Sequence, residues 1–286
     1  MKEITLEELL EAGSHFGHQV TRSNPKARDF IFEARDNIHI IDLVKTKEGL
    51  DLAISYVKDL AAKGGVLLIV GTKRQAKTIV EEEIQKALEA KPQEELGLYW
   101  VTNRWIGGVL TNFSEVAKNF KKLKELGEKL KSDEEKSKYT KKEIGLWEKE
   151  KVKLESFYVG IAGLTKLPDA LFIIDTHLED LAVREAKKMN VETVGVVDTN
   201  GDPFLIDYPI PANDDATGSI KLIVGAIVEA WVEGKNKAVK DETKRTEETK
   251  ETLRQPQGKQ KGEEEKKESK PKAKKKTSPK KASKDK

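Results

Sequence analysis

The chain has 286 residues, 36% of them charged and 37% hydrophobic, with a net charge of +3 and no cysteine. Disulfide scaffolds and thiolate zinc sites are thereby excluded, and no apolar run approaches the roughly eighteen residues that a membrane span needs. The acidic start, with Glu3, Glu7, Glu8 and Glu11, has neither the cations of a transit peptide nor the apolar core of a signal peptide, so cytoplasmic residence is expected.

The near-neutral total conceals an asymmetry. Residues 235–286 hold 20 Lys or Arg against 10 Asp or Glu, whereas residues 1–234 hold 33 against 40. A mildly acidic body can bind a polyanion only through local patches, not through its overall field.

In chain order, Thr5 with Glu8 three residues on makes a capping box for a short helix that Gly13 ends. The stretch from Gly13 to Ala27 has no periodicity and carries His15, His18, Arg22 and Lys26, with Arg28 just beyond. Residues 29–43 read as a hairpin: FIFEA, a polar Arg35-Asp36-Asn37 turn, then IHIIDL. Leu50, Ile54, Val57 and Ala61 recur at helical spacing, and Gly64-Gly65 stops that helix. VLLIVG (66–71) is a continuous apolar run of the sort buried in a parallel sheet. A helix over 75–90 and a short strand over 98–101 follow. LFIID (171–175) and TVGVVD (193–198) repeat the strand pattern around a helix at 178–189. Tyr208-Pro209 marks an edge strand, since proline cannot donate to a central ladder, and 216–232 is a last helix with a long apolar face. Alternating strands and helices predict an α/β domain, Rossmann-like or flavodoxin-like, with a mainly parallel sheet and helices on both faces.

Residues 113–158 break this rhythm. Phe113, Val116, Phe120, Leu123 and Leu130 keep a heptad spacing, with Gly127 where another apolar residue is due. Ile144, Trp147, Leu154 and Tyr158 do likewise around Lys151, and the link over 131–140 is polar. The pattern predicts an inserted antiparallel coiled-coil hairpin. Residues 1–108 and 159–234 then form a discontinuous α/β domain, 109–158 the hairpin, and 235–286 a Lys-rich tail. That tail is too poor in apolar side chains to offset its ordering entropy and is expected to be disordered.

Enzyme chemistry finds little support. Gly71-Thr72-Lys73-Arg74 follows a strand without the glycine spacing of either phosphate-cradling loop. Lys73 and Arg74 still lie where a strand gives way to a helix, a place that favours an anion; a phosphate of RNA suits it as well as one from a nucleotide, and the missing motif favours the polymer. His15 and His18, three apart, could share a metal with Asp198, Asp202 or Asp214, but beside Phe16 and Gly17 hydrogen bonding and packing are the simpler reading. His39 alternates with isoleucines on a strand, and His177 starts a helix. No GxSxG, HExxH or paired-carboxylate motif occurs, and Asp175, Asp198, Asp214 and Asp215 read as caps and turns. The chain is therefore expected to be no enzyme and to need no metal or cofactor. The alternative is a nucleotide- or metal-dependent α/β enzyme.

Three basic loops are more telling: Arg22, Asn24, Lys26 and Arg28; Lys73 and Arg74; and Asn103, Arg104 and Trp105. Cations bridge phosphates, and an arginine or tryptophan plane can stack on bases. With His15 and His18 they make the expected RNA-binding set.

Seven blocks carry a resemblance: GSHFGHQVTRSNPKARDFIF, NIHIIDLVKT, GGVLLIVGTKRQA, YWVTNRWIGGVLTNF, LPDALFIID, VVDTN and IPANDDA, in that order between about Leu6 and Trp231. Together they closely resemble the family of bacterial small-subunit ribosomal protein two. Val20-Thr21 and Ser23 depart from that family's more basic and aromatic wording, and GDPFLIDYPIP from its commonest form. The resemblance implies an α/β domain with a protruding coiled-coil hairpin and a non-catalytic role in translation. It also implies small-subunit rRNA and neighbouring ribosomal proteins as partners. Among these is the multi-OB-domain protein one, which this family helps to hold. No membrane and no small-molecule substrate are expected.

Overall fold

The apolar runs become the middle of a sheet. The computed structural model describes residues 3–132 and 137–254. The elements in order are α1 (Leu6–Glu11), β1 (Phe16–Gln19), β2 (Ile31–Arg35), β3 (Ile38–Ile41), α2 (Leu43–Ala62), β4 (Leu67–Val70), α3 (Arg74–Ala90), α4 (Gln93–Leu96) and β5 (Leu98–Val101). They continue with α5 (Phe113–Lys131), α6 (Lys141–Tyr158), β6 (Ala170–Ile174), α7 (Asp180–Met189), β7 (Glu192–Val197), β8 (Tyr208–Pro211) and α8 (Thr217–Arg254).

Five strands pair in the order β5-β4-β6-β7-β8, every neighbour parallel. Counted from β4 this is the 2-1-3-4-5 order of flavodoxin-like folds, with the order reversing between β4 and β6. Successive side chains go to opposite faces. Leu67, Ile69 and Phe172 join Leu50 and Val57 of α2, Ile84 of α3, and Ile227 and Trp231 of α8. Leu68, Val70, Leu171 and Ile173 join Val116 and Phe120 of α5 and Val183 of α7. Because both faces are covered, these strands read as unbroken apolar runs instead of alternating ones. Pro209 and Pro211 fall in β8, at the sheet's edge, where a missing donor costs least.

Phe172 is 0% exposed on the central strand β6. Phe172→Ala is expected to cost about 3–5 kcal/mol in urea unfolding, the transfer and cavity cost of a large buried ring. A loss below about 1 kcal/mol would contradict the assignment of this ring to the core.

A second, antiparallel sheet has the order β1-β3-β2. Arg35 pairs with Ile38, leaving Asp36 (φ 50°) and Asn37 (φ 63°) as a two-residue loop. Positive φ at both positions is what the tight turn favoured by twisted hairpins requires.

Helices α5 and α6 run antiparallel. Lys122 pairs with Glu150, the Phe120 and Tyr158 rings lie 5.6 Å apart, and Lys129 Nζ stands 5.5 Å from the Trp147 ring. Leu126, 5% exposed, fills the place expected for residue 127. A straight helix turns every 3.6 residues, so the buried stripe slips off a strict heptad. The base of this pair enters the second core through Val116, Phe120, Leu123 and Tyr158.

The expected boundary at residue 235 moves. Lys235 is 8% exposed, its Nζ donates to Gly65 O at 2.8 Å, and it lies 5.1 Å from the Trp231 ring centroid. A lysine whose stem covers an indole can belong to a core despite its charge, which a count of apolar residues misses. The chain divides into two units, Met1–Lys244 and Arg245–Lys286. Residues 245–254 of the second are helical, and the disorder expected over 255–286 falls outside the described residues. Among the described residues no helix is long and apolar enough to cross a membrane.

Candidate functional site

The N-terminal loop is laid across the carboxyl ends of the strands. The Ser14 hydroxyl meets that of Ser219 at 2.9 Å, and the Asn213 amide donates to Ser14 O at 3.0 Å. The His18 amide donates to Thr199 Oγ1 at 2.9 Å and the Asn24 amide to Thr199 O at 2.7 Å, just past β7. Gly17 is needed for this approach: a Cβ there would stand 2.7 Å from Thr199 Cγ2.

Four aspartates follow strand ends beneath this loop: Asp175 after β6, Asp198 after β7, and Asp214 and Asp215 after β8. Lys73, leaving β4, places its Nζ 2.7 Å from Asp214, 2.7 Å from Asp215 and 3.0 Å from Asp175. His18 Nδ1 lies 3.0 Å from Asp198, and its Nε2 3.5 Å from Asp215. The Thr72 hydroxyl donates to Glu179, and Asp175 adopts a left-handed φ of 64° while accepting from the Leu178 amide at 2.8 Å. The switch-point crevice, where flavodoxin-like folds seat ligands, is thus filled by an internal ion cluster. Lys73 points into that cluster, its side chain only 13% exposed, and not toward a partner.

Five carboxylates there face one lysine and one imidazole, and the protonation balance responds. The hydrogen bond to Asp198 raises the His18 pKa, against the opposing effect of burial. Burial, together with Asp175 and Asp198, pushes Asp214 up to about 7 although Lys73 opposes it. For Lys73, burial lowers the pKa, but the carboxylates led by Asp214 outweigh it and the net shift is upward. His18, Asp198 and Asp214 offer one ligand atom each, all within 4.8 Å of one another, so these are the residues that could hold a divalent cation. His15 is not among them: its ring packs 4.0 Å from that of Phe16, and burial lowers its pKa. Asp202 instead pairs with Lys26 at 2.5 Å.

A testable sign follows. A carboxyl that holds its proton more tightly when folded loses stability as pH rises from its ordinary 3.8 toward its folded value of about 7. Asp214→Asn is therefore expected to gain on the wild type between about pH 4 and pH 7, by at most about 1.4 kcal/mol per pH unit. Parallel pH profiles for the two proteins, measured by chemical denaturation, would contradict the buried cluster.

A second arrangement shapes the TNRWIGG loop. Glu185 on α7 accepts from the amides of Gly108 at 2.7 Å, Leu110 at 3.1 Å and Thr111 at 3.2 Å, and from the Thr111 hydroxyl at 3.1 Å. The Trp105 indole donates to it at 3.4 Å. Burial pushes Glu185 up, but these donors outweigh it, so its pKa lies below the ordinary value. Trp105 is consequently 5% exposed and packs in the second core, so its ring presents no stacking plane to a base. The Asn103 amide donates to Ser156 O and accepts from Lys77, which occupies both of its ends.

What remains outward is narrower than the sequence suggests. Arg22, Arg28, Arg74 and Arg104 are exposed, and none makes an ion pair among the described residues. Asn24 serves its own chain, its Oδ1 accepting from the Lys26 amide at 3.0 Å. The loops of Arg74 and Arg104 follow adjacent parallel strands, and that of Arg22 and Arg28 is bound where β7 ends, so all four arginines share the carboxyl side of one sheet. Nothing in the sequence around Glu185 signals this role, and no sequence pattern places Asp214 beside Lys73.

Comparison with known proteins matches this architecture. A family model described as Ribosomal protein S2 covers residues 9–234. A relative named "Small ribosomal subunit protein uS2" from Sorangium cellulosum (strain So ce56) is 46% identical over 231 residues, spanning 81% of this chain and 80% of the relative. On the family match across nearly the whole body, and on that level of identity, the chain belongs to the ribosomal protein S2 family of structural, non-catalytic components of the small ribosomal subunit.

Proposed function

We propose that this protein binds small-subunit rRNA through the arginine face on the carboxyl side of its sheet and helps to anchor the multi-OB-domain ribosomal protein one. One observation carries the RNA reading: four exposed arginines, none ion-paired among the described residues, stand on one side of a body that is otherwise acidic. A free guanidinium loses no internal partner when it takes up a phosphate, and its fork fits phosphate geometry. The ion cluster beneath holds the loops of Arg22, Arg28 and Arg74, and Glu185 holds that of Arg104.

Anchoring of a protein partner is supported by a different surface. Phe32 is 72% exposed and Phe16 50% exposed on the small antiparallel sheet. An exposed aromatic on the edge strand β2 suits a partner segment that brings an apolar or aromatic side chain.

Arg22→Ala, Arg28→Ala and Arg104→Ala together are expected to reduce incorporation into small subunits, read by sedimentation of a lysate and probing of the fractions. Phe32→Ala should still enter small subunits but leave them depleted of protein one. Wild-type incorporation of the triple variant would overturn the RNA surface, and full retention of protein one by Phe32→Ala would overturn the anchoring surface.

A further inference from the structure

Over residues 218–232 helix α8 lies between α1 and α3: a Cβ on Gly218 would stand 2.8 Å from Ala12 O, and one on Gly225 3.9 Å from Glu83 Oε2. Two cavities, of about 430 and about 370 Å³, lie along this stretch and share Glu83, Gly225 and Glu229, so they form one groove. Its α8 side is Gly218, Leu222, Gly225, Glu229 and Val232, at the three- and four-residue steps of one helical stripe. Ile4 and Ala12 wall one end, and Ala87 of α3 walls the other. Internal packing does not require the glycine at 225. Among the described residues an added methyl would meet Glu83 Oε2 at an ordinary distance and nothing nearer, yet a glycine inside a helix costs stability relative to alanine. What Gly225 does is deepen the groove.

The rim is acidic. Glu8, Glu83 and Glu229 line the groove with Lys86 and Lys221, and the outer face of α3 adds Glu81, Glu82 and Glu89 around the same Lys86. Lys86, its side chain 60% exposed, pairs with Glu83 at 2.6 Å, and an incoming cation can displace so exposed a partner. This surplus of carboxylates repels a nucleic-acid backbone. A second copy laid across the same groove would bring two acidic rims together, which is equally unfavourable. From 218 to 232 the stripe runs about 21 Å at the helical rise, longer than a compact small molecule covers. A trough of that length, apolar along its middle and acidic along its edges, fits an amphipathic helix. The apolar stripe of such a helix lies in the trough, and its cations reach the edges.

We propose that this groove docks a cationic amphipathic helix of a neighbouring protein in the small ribosomal subunit. Ile4, Leu222 and Val232 meet its apolar side chains, Gly225 lets its nearest turn come close, and Glu8, Glu83 and Glu229 meet its lysines or arginines. Family membership supplies the assembly in which such a helix is met, and the arginine face plays no part in it.

The chain has no cysteine, so Leu222→Cys places a single thiol in the groove. Its labelling by a maleimide is followed, on this chain's band, in the free full-length protein and in purified small subunits that carry it. Labelling in subunits is expected to be slower by about tenfold or more, because the reagent must wait for the helix to leave. In the same background Glu229→Lys reverses a charge at the exposed rim, and Gly225→Leu fills the trough. Relative to its own free form, each should regain about fivefold of the lost rate. A photo-activated cross-linker carried on the thiol then identifies the neighbour. A helical peptide of another small-subunit protein, richer in Lys and Arg than in Asp and Glu, supports the proposal. Equal labelling of free and assembled protein overturns it, as does protection that neither second substitution relieves. A cross-link to rRNA, within the chain itself, or to a peptide without that cationic excess overturns it too, and leaves the arginine face untouched.

Discussion

Lys73→Ala is expected to destabilise the protein by about 3–5 kcal/mol at neutral pH, the cost of removing one partner from a buried ion pair. The side chains of Asp214 and Asp175 are 1% and 9% exposed, so their charges cannot turn to water when the ammonium is lost. Asp215, 51% exposed, can, and it contributes little to the loss. The remaining carboxylates then repel one another, and Asp214, already raised by burial, rises further. Acidification should therefore recover part of the loss. So should Asp214→Asn in the same background, because it removes the charge that Lys73 neutralised. Chemical denaturation of the four proteins of this double-mutant cycle, at pH 5 and pH 8, would measure both effects. Additive losses with no pH dependence would mean that the lysine is solvated and the crevice open.

Glu185→Ala should cost about 3 kcal/mol or more, since it orphans several partly or fully buried donors at roughly 1–3 kcal/mol for each one that finds no water. Glu185→Gln is not a mild change here. Each carboxylate oxygen meets at least two donors, and the amide can supply only one acceptor, so its NH2 must face other N–H groups. Both variants should raise amide hydrogen exchange at Gly108, Leu110 and Thr111, and weaken the presentation of Arg104. The Glu185 contribution is complete at neutral pH and is lost as pH falls through its depressed folded value, because its proton is held more tightly when unfolded. Unchanged exchange at those amides in Glu185→Ala would contradict its role in holding the loop.

The layers of this fold were legible because buried parallel strands announce themselves as unbroken apolar runs, and VLLIVG, LFIID and TVGVVD had no other reading. The hairpin turn was legible because Asp and Asn tolerate the left-handed conformation that Asp36 and Asn37 adopt. Interactions between distant segments were not. Glu185 sits in the run REAKKM, where a solvated helix face is the ordinary reading, and its partners lie more than 70 positions away. Trp105 beside Arg104 looked like a stacking platform; only the packing of α7 against the loop turns the indole inward. Lys73 and Arg74 are adjacent and chemically alike, yet one is engaged by three aspartates and the other is exposed. The step from helix cap to first helical residue separates them, and composition carries no trace of it.

The account rests on the claim that the exposed arginines, and not the interior cations, meet RNA phosphates. The direct measurement is the salt dependence of binding between the full-length protein and small-subunit rRNA. Each phosphate neutralised contributes roughly 0.7–0.9 to the slope of log affinity against log salt. Replacing Arg22, Arg28 and Arg104 by alanine should therefore make that slope shallower by about 2 or more and lower the affinity at every salt concentration. Identical slopes and affinities for the wild type and the triple variant would contradict it.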